Sequence, residues 1–186
     1  METILKDLDS QGYTVEIGTA GENTFVRLSK ILYPFGLTHR EGHKIHIKIE
    51  VDTEPVKVKG EQVESYFVTK FDEIFPIKKH KIETLFAGKI SAILGREFAK
   101  GRDYYDLIWY MTKKTEIDMG YLNASINRIG FSPFKNKKEV FEHLSDVVAK
   151  TRPEVIMKDI ARFLEDPKEA EWIKNYQDVF KQLMLV

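Results

Sequence analysis

Four charged residues in the stretch KIETLFAGKISAILGREFAKGRDYYDLIWYMT (81–112) have types and a spacing that could handle phosphate chemistry. Lys89 and Arg96 are seven residues apart in a segment with helical apolar spacing, which places them on one helix face. A glycine interrupts that pattern, and a second helix is predicted after it. Asp103 lies in the first turn of that helix, and Asp106 lies three residues later on the same face. Two cations facing two carboxylates across a tight corner are therefore the best candidate site in the chain.

This combination of carboxylates and cations suits phosphoryl or nucleotidyl transfer. Magnesium takes one or two protein carboxylates together with waters and phosphate oxygens. Lysine presents a compact point charge to a triphosphate, and positioning plus charge neutralisation do most of the work in such reactions. Two further acids, Glu50 and Asp52, lie on one face of a predicted strand. If that strand is central in its sheet, Glu50 projects from it into a cleft.

A purely structural interpretation of the same residues stays open. Arg102 and Asp106 are four residues apart and could pair on a helix surface, while Lys89 could extend from an apolar helix to reach water. The alternating lysines and acids around Glu50 also fit a solvated sheet face. Structural ion pairs greatly outnumber functional sites, so the geometry of the folded chain has to decide.

The composition excludes several other classes of function. The 186 residues include 29 basic and 29 acidic side chains, so overall attraction to nucleic acid or to a membrane is not indicated. The absence of cysteine excludes disulfides, thiolate metal sites and cysteine nucleophiles. The five histidines form no ligand pattern, and no GxGxxG, P-loop or GxSxG motif is present. No signal peptide or membrane-spanning apolar run is found, so a cytoplasmic protein is expected.

Hydrophobic periodicity predicts strands first and helices afterwards. A short helix is predicted over 2–11, hairpin strands over 13–17 and 24–32 around a turn at 18–23, a strand over 44–52, and further short strands within 61–80. Helices are predicted over 81–98, 102–112, 118–128, 136–150, 153–165 and 166–185, with Gly101 as the break between the first two. We therefore expect an α/β chain of the α+β type, with a mixed region over 1–112 and a helical region over 113–186.

Three segments resemble the AbiEii/AbiGii-type nucleotidyltransferase toxins, the toxin halves of abortive-infection, type IV toxin–antitoxin systems. They are KIHIKIEVDTEP (44–55), LFAGKISAILGRE (85–97) and GRDYYDLIWYM (101–111), and the match covers roughly residues 1–112. The resemblance implies a nucleotidyltransferase-like mixed β-sheet with helices, followed by a C-terminal helical bundle. It also implies Mg²⁺ as the cofactor, a nucleoside triphosphate as substrate, an antitoxin-like protein as partner and, by analogy, tRNA or another RNA as acceptor.

The resemblance also implies roles for single residues. Lys48 and Glu50 fall on the strand that supplies the family's third acidic residue, so Glu50 is expected to be catalytic and to bind the metal. Lys89 matches the lysine that meets nucleotide phosphates, and Asp103 and Asp106 match the downstream acidic motif, which makes all three catalytic candidates. The predicted nucleotide-binding residues are Lys48, Lys89, Arg96 and Arg102.

The sequence departs from the family pattern near its beginning. Such enzymes begin with a Gly-Gly-Thr-type turn that opens a helix, followed by an R-x-S-x-D-x-D segment that holds two metal carboxylates. The only D-x-D of this chain, Asp7-Leu8-Asp9, lies in a predicted helix without that turn, and the glycine turn at 18–21 is not followed by a D-x-D strand. We therefore expect an α/β region that is incomplete at its N-terminus, with two of three metal ligands missing and two-metal catalysis impaired.

Three hypotheses follow from these features. The first is an AbiEii-like protein that is catalytically incomplete, either as a truncated product or as one half of a split protein. The second is an active enzyme that uses a rearranged acid set, Glu50 with Asp103 and Asp106. The third is a non-catalytic binding module that meets an antitoxin-like partner or RNA. A missing first strand and helix would leave a sheet edge and apolar surface uncovered, which predicts a homo-oligomer or a partner chain.

Overall fold

A computed structural model describes residues 2–20, 23–60, 62–70, 72–166 and 168–185 of the chain. The chain divides into two compact units, Met1–Pro55 and Val56–Val186. The domain division that the sequence predicts near residue 112 lies inside the second unit. Within the described ranges, no helix has the length and apolar character needed to cross a membrane.

The first unit is a helix followed by a three-stranded antiparallel sheet. Its elements are α1 Glu2–Ser10, β1 Thr14–Ala20, β2 Asn23–Ser29 and β3 Ile45–Ile49. The strand order is β1-β2-β3, and the register pairs Thr14 with Ser29 and Leu28 with Ile45. Among the described residues of this unit, one hydrophobic side chain is fully buried. It is Val26 on the central strand, with 2% of its surface exposed. The apolar core of this unit is therefore small.

The predicted hairpin and third strand are confirmed, with different ends. β1 continues through residues 18–20, which the sequence predicts as a turn, and residues 21 and 22 of that turn lie outside the described residues. β2 ends at Ser29 rather than Leu32, because Lys30 adopts a φ of 57°, which is incompatible with an extended strand. The condition under which Glu50 would project into a cleft, a central strand, is not met in the described sheet: β3 lies at its edge and ends at Ile49.

The second unit is a β-hairpin followed by helices. The hairpin consists of β4 Val63–Lys70 and β5 Glu73–His80. The helices are α2 Ile82–Gly95, α3 Gly101–Thr112, α4 Met119–Arg128, α5 Lys137–Lys150, α6 Pro153–Ile160 with a 3₁₀ turn Ala161–Phe163, α7 Glu169–Lys174 and α8 Tyr176–Met184. The α+β class predicted from the sequence is confirmed. Both described sheets are antiparallel, where the resemblance implied a mixed sheet.

Local capping explains where several helices begin. The side-chain oxygen of Asn136 accepts a hydrogen bond from the Glu139 N–H at 3.0 Å, which confirms the predicted capping signature of α5. Asp118 caps α4 in the same way by accepting from the Tyr121 N–H at 2.9 Å. Pro153 lies in the first turn of α6, where its missing N–H costs no hydrogen bond.

The core of the second unit forms between the helices. α2 packs against α3 and α4, and α3 packs against α6 and α8. Phe86 of α2 stacks on Tyr110 of α3 with ring centroids 4.8 Å apart. The hydroxyl of Tyr176 on α8 donates a hydrogen bond to the main-chain carbonyl of Tyr104 on α3 at 2.8 Å. These contacts fix the position of α3, and with it the backbone of the charged residues at its start.

Several helix boundaries differ from the sequence predictions. α2 ends at Gly95, and Phe98, predicted in its apolar stripe, is 76% exposed in the connection that follows. Gly101 does not separate the helices, because it is the first residue of α3. The single helix predicted over 166–185 is two helices, α7 and α8, which meet at Asn175.

Candidate functional site

Lys89, Arg96, Asp103 and Asp106 form one connected cluster of ion pairs at the corner between α2 and α3. The Lys89 Nζ atom lies 3.0 Å from Asp103 Oδ1 and 2.8 Å from Asp106 Oδ2. A guanidinium nitrogen of Arg96 lies 2.5 Å from Asp103 Oδ2. The structure thus brings together the four residues that the sequence places at one corner. Their functional roles stay predictions.

The connection between the two helices creates this cluster. Lys89 lies on α2, whereas Arg96 follows the end of α2 with an extended backbone, φ −87° and ψ 137°. The prediction that both cations share a helix face is therefore wrong, although they converge on the same acid. Asp103 lies in the first turn of α3, as predicted, where its carboxylate complements the exposed N–H groups of the helix. The short connection 96–100 brings Arg96 within reach of it.

Asp103 is the buried acid on which the cluster depends. Its surface is 5% exposed, and both carboxylate oxygens accept hydrogen bonds from cations. Removing an ionised carboxylate from water carries a large cost, which paired charges and hydrogen bonds must offset. The side chains of Lys89 and Arg96 are each about a third exposed, so they pair with Asp103 and still reach solvent.

Competing effects set the charge of Lys89. Burial lowers its pKa, but the hydrogen bonds and charges of Asp106 and Asp103 outweigh burial, and the pKa is raised above its ordinary value. The ammonium form is therefore the stable form at neutral pH. In this arrangement Lys89 is a fixed cation rather than a base.

A cavity of about 450 Å³ opens beside the cluster, and we call it the corner cavity. The corner cavity is lined by four cations, Lys89, Arg96, Lys100 and Arg102, and by two carboxylates, those of Asp103 and Asp106. Its lining therefore carries a net positive charge at neutral pH. The same cavity has an apolar part, formed by Ile160, Phe163 and Leu164 from the end of α6 and the residues that follow. Such a site can take an anionic group together with an apolar one.

The lining distinguishes between the two sequence interpretations of Arg102. In the structural interpretation Arg102 pairs with Asp106 on a helix surface, but the carboxylate of Asp106 pairs with Lys89 instead. Among the described residues, Arg102 has no ion pair and lines the corner cavity. Its charge is thus available to a ligand.

Several lining residues were missed in the sequence analysis. Lys100 and Tyr105 are close in sequence to the predicted site residues, and that proximity is the only signal by which the sequence could have identified them. The Tyr105 hydroxyl donates a hydrogen bond to Glu169 Oε1 at 2.7 Å, which ties α3 to α7. Ile160 and Phe163 carry no motif or charge, and only the packing of α6 against α3 brings them to the site.

Lys48 and Glu50 lie in the first unit, where they form an ion pair with each other. Both side chains are exposed, and Glu50 directly follows the edge strand β3. The other predicted site residues belong to the second unit. The predicted roles of Glu50 in metal binding and of Lys48 in nucleotide binding stay predictions.

The carboxylates of the corner cavity are engaged mainly by cations of the chain itself. Both oxygens of Asp103 are occupied by Lys89 and Arg96, and one oxygen of Asp106 is occupied by Lys89. Across the described part of the chain, no group of three or more histidine or carboxylate residues could hold a metal ion. The expectation of magnesium therefore rests on the resemblance.

The fold and the site together define an α+β protein with a cation-lined cavity anchored by one buried acid. The sequence model of the family described as "Nucleotidyl transferase AbiEii toxin, Type IV TA system" matches residues 1–186, and the chain belongs to this family. The match covers all 186 residues and so extends beyond the region 1–112 that carries the resemblance. No curated protein and no solved structure matches the chain.

Proposed function

We propose that this member of a type IV toxin family binds a nucleoside triphosphate in the corner cavity. The observation that supports this most strongly is the arrangement in which buried Asp103 orients Lys89 and Arg96 at the cavity wall. A triphosphate requires several fixed positive charges and hydrogen-bond donors around its oxygens. Lys100 and Arg102 add two further cations to the same lining.

Asp103 acts here as a positioning residue. A lysine or arginine at a surface has many rotamers, and holding it in one costs conformational entropy. The two hydrogen bonds to Asp103 fix both cations before a ligand arrives, so that cost is met in folding rather than in binding. The second pair of Lys89, to Asp106, adds to this preorganisation.

The apolar part of the corner cavity suits the base of the nucleotide. A nucleobase has flat faces that stack on aromatic side chains or pack against aliphatic ones. Phe163 is largely exposed, and the Arg162 guanidinium lies 4.7 Å from its ring centroid. Ile160 and Leu164 extend the same surface. Cations for the phosphates and an apolar surface for the base thus lie in one cavity.

We further propose that nucleotidyl transfer by this chain is impaired. Its sequence contains no R-x-S-x-D-x-D segment, which the resemblance requires for two metal carboxylates. A rearranged acid set of Glu50, Asp103 and Asp106 has less support, because both oxygens of Asp103 are already engaged by cations. An antitoxin-like protein is the expected partner in the cytoplasm, with RNA as the acceptor if transfer occurs.

Calorimetric titration of the full chain with ATP, GTP, CTP and UTP, with and without magnesium, tests nucleotide binding. We expect saturable binding of at least one nucleotide, weakened about tenfold or more by Lys89→Ala, which corresponds to about 1.4 kcal/mol. Arg102→Ala is expected to weaken binding without changing thermal stability, because Arg102 has no ion pair among the described residues to lose. Lys181→Ala, an exposed lysine on α8, is the matched control and should bind like the wild type.

Two results would contradict the proposal. One is the absence of binding to all four nucleotides, and the other is binding that neither Lys89→Ala nor Arg102→Ala weakens. Either result would favour the non-catalytic module that meets an antitoxin-like partner. Impaired catalysis is tested separately, by transfer of labelled nucleotide to RNA. If the wild type transfers more label than Lys89→Ala does, catalysis is not impaired, and the proposal of nucleotide binding is still supported.

A further inference from the structure

The hairpin β4–β5 exposes apolar side chains on both of its faces. Directly opposite residues of an antiparallel pair share a face, and successive residues alternate between faces. Phe67 and Ile74 are 63% and 73% exposed on one face, and Tyr66 and Phe75 are about half exposed on the other. Grouped exposed apolar surface of this kind marks an interaction site.

β4 also presents a free edge. It pairs with β5 along one side, and no other described strand pairs with it. The sequence of β4, VESYFVTK, contains no proline, whereas β5 carries Pro76, which has no N–H to donate. An edge strand without a proline or a bulge is a template for a further strand.

We propose that β4 pairs antiparallel with β4 of a second copy of this chain, centred on Phe67. The sequence of β4 is complementary to itself in this register. Glu64 then lies opposite Lys70 of the second copy, Tyr66 lies opposite Val68, and Phe67 lies opposite Phe67. The proposal does not depend on nucleotide binding.

The rows across each hairpin extend this complementarity. Lys79 Nζ lies 3.1 Å from Glu64 Oε1 and 4.5 Å from the Tyr66 ring centroid, which shows that these side chains share a face. Lys70 lies opposite Glu73 in the hairpin register. A sheet of two hairpins therefore carries the row Lys79, Glu64, Lys70 and Glu73, in which the sign of the charge alternates across both copies. Cross-strand pairs of opposite charge stabilise a sheet.

The neighbouring row of the same face is apolar throughout. It consists of Ile77 and Tyr66 from one copy and Val68 and Phe75 from the other, and the symmetry of the pair produces this row twice. All of these residues except Val68 are among the exposed large hydrophobic residues of the chain, and Val68 is half-buried. Association therefore joins two small apolar patches into one larger surface.

Neighbouring registers lack this complementarity. Moving the centre to Val68 takes Glu64 past the end of β4 at Lys70, to the turn that contains Asp72, and leaves it without an opposite charge. Moving it to Tyr66 places Lys70 opposite Gln62 and leaves no opposite charge for Glu64. The charges of β4 therefore select the register centred on Phe67.

Sedimentation equilibrium of the full chain over a concentration series tests this pairing. We expect a monomer–dimer equilibrium that Phe67→Lys weakens about tenfold or more, because it sets two lysines against each other at the centre of the interface. Phe98→Lys places the same new charge at a similarly exposed position outside the hairpin and is expected to leave the equilibrium unchanged. Circular dichroism of each variant checks that its fold is intact.

A mixing experiment makes the register itself testable. Glu64→Lys and Lys70→Glu each set like charges opposite each other in the homodimer, so each variant alone is expected to associate more weakly than the wild type. When the two variants are mixed, each new charge meets its opposite, and the heterodimer is expected to form. A chain that stays monomeric up to its solubility limit would overturn the proposal, as would a dimer that these substitutions leave unchanged.

Discussion

Asp103 determines the geometry of the corner cavity because it is a buried carboxylate whose two oxygens each pair with a cation. A buried carboxylate is stable only when its oxygens are paired, and Lys89 and Arg96 supply both pairs. Removing the acid would release Arg96 and leave Lys89 with Asp106 alone, while removing either cation would leave a buried charge with one partner fewer. At the residue scale, the site is therefore one coupled unit rather than a set of separate charges.

Tyr105 provides a test at this scale that does not depend on any ligand. Its hydrogen bond to Glu169, with burial and the nearby carboxylates, raises its pKa from 10.0 to about 12. A pKa raised by folding contributes stability below the unfolded value, and that contribution is lost as the pH rises through the folded value. The Tyr105 contribution is therefore intact at neutral pH and disappears between pH 10 and about 12.

We predict that Tyr105→Phe is less stable than the wild type at neutral pH and that the difference narrows as the pH rises from 10 to about 12. Urea unfolding of both proteins at a series of pH values measures this difference directly. Comparing the two proteins cancels the titration of the other tyrosines. If the difference in the free energy of unfolding stays constant over this pH range, the Tyr105–Glu169 hydrogen bond does not make stability depend on pH.

At the scale of elements, the close approach of α3 and α6 builds the apolar part of the corner cavity. A Cβ atom on Gly101 would lie 2.4 Å from the carbonyl oxygen of Ile156 and 2.9 Å from Asp159 Cβ. The first of these neighbours is backbone, which cannot move aside without shifting the helix. Glycine is therefore required where α3 begins, and α6 is brought close enough to contribute Ile160 to the cavity.

We predict that Gly101→Ala destabilises the chain by about 1–3 kcal/mol, the usual range for overpacking a close contact. Gly120→Ala is the matched control, since its Cβ would meet nothing nearer than 3.4 Å and alanine favours the helix. The control is expected to unfold at the same or a slightly higher urea concentration. Equal stability of Gly101→Ala and the wild type would contradict the close packing of α3 on α6.

Elements with local signals were predictable from the sequence, and elements set by packing were not. The cap at Asn136 needs only residues 136–139, so its prediction is confirmed. The end of α2 and the break at Asn175 carry no such signal, because apolar residues continue past both points. The alternation of apolar and polar residues correctly predicts the strand that ends at Ile49. It does not predict that this strand lies at a sheet edge, because that position depends on which strands pair.

At the scale of the whole molecule, the candidate site draws on segments that are distant in sequence. Lys89, Arg96, Asp103 and Asp106 could be grouped from sequence because they span one corner, and the structure brings them together. The residues after α6 could not be grouped with them, since only the folding of the second unit joins α6 to α3. The family assignment comes from the whole sequence and agrees with the α+β class, whereas the local geometry supports the nucleotide-binding proposal.

The most direct test of nucleotide binding is labelling with an acyl-phosphate derivative of the nucleotide that binds best. Its acyl group passes to a lysine amine beside the phosphates, and the nucleotide leaves with its terminal phosphate free. We predict that peptide mapping finds the label on Lys100 rather than on Lys89, because Asp103 and Asp106 hold the Lys89 amine in its unreactive ammonium form. Excess unmodified nucleotide is expected to prevent the label, and Arg102→Ala is expected to reduce it. Label found only on lysines outside the corner cavity, or label that excess nucleotide does not prevent, would contradict a triphosphate site there.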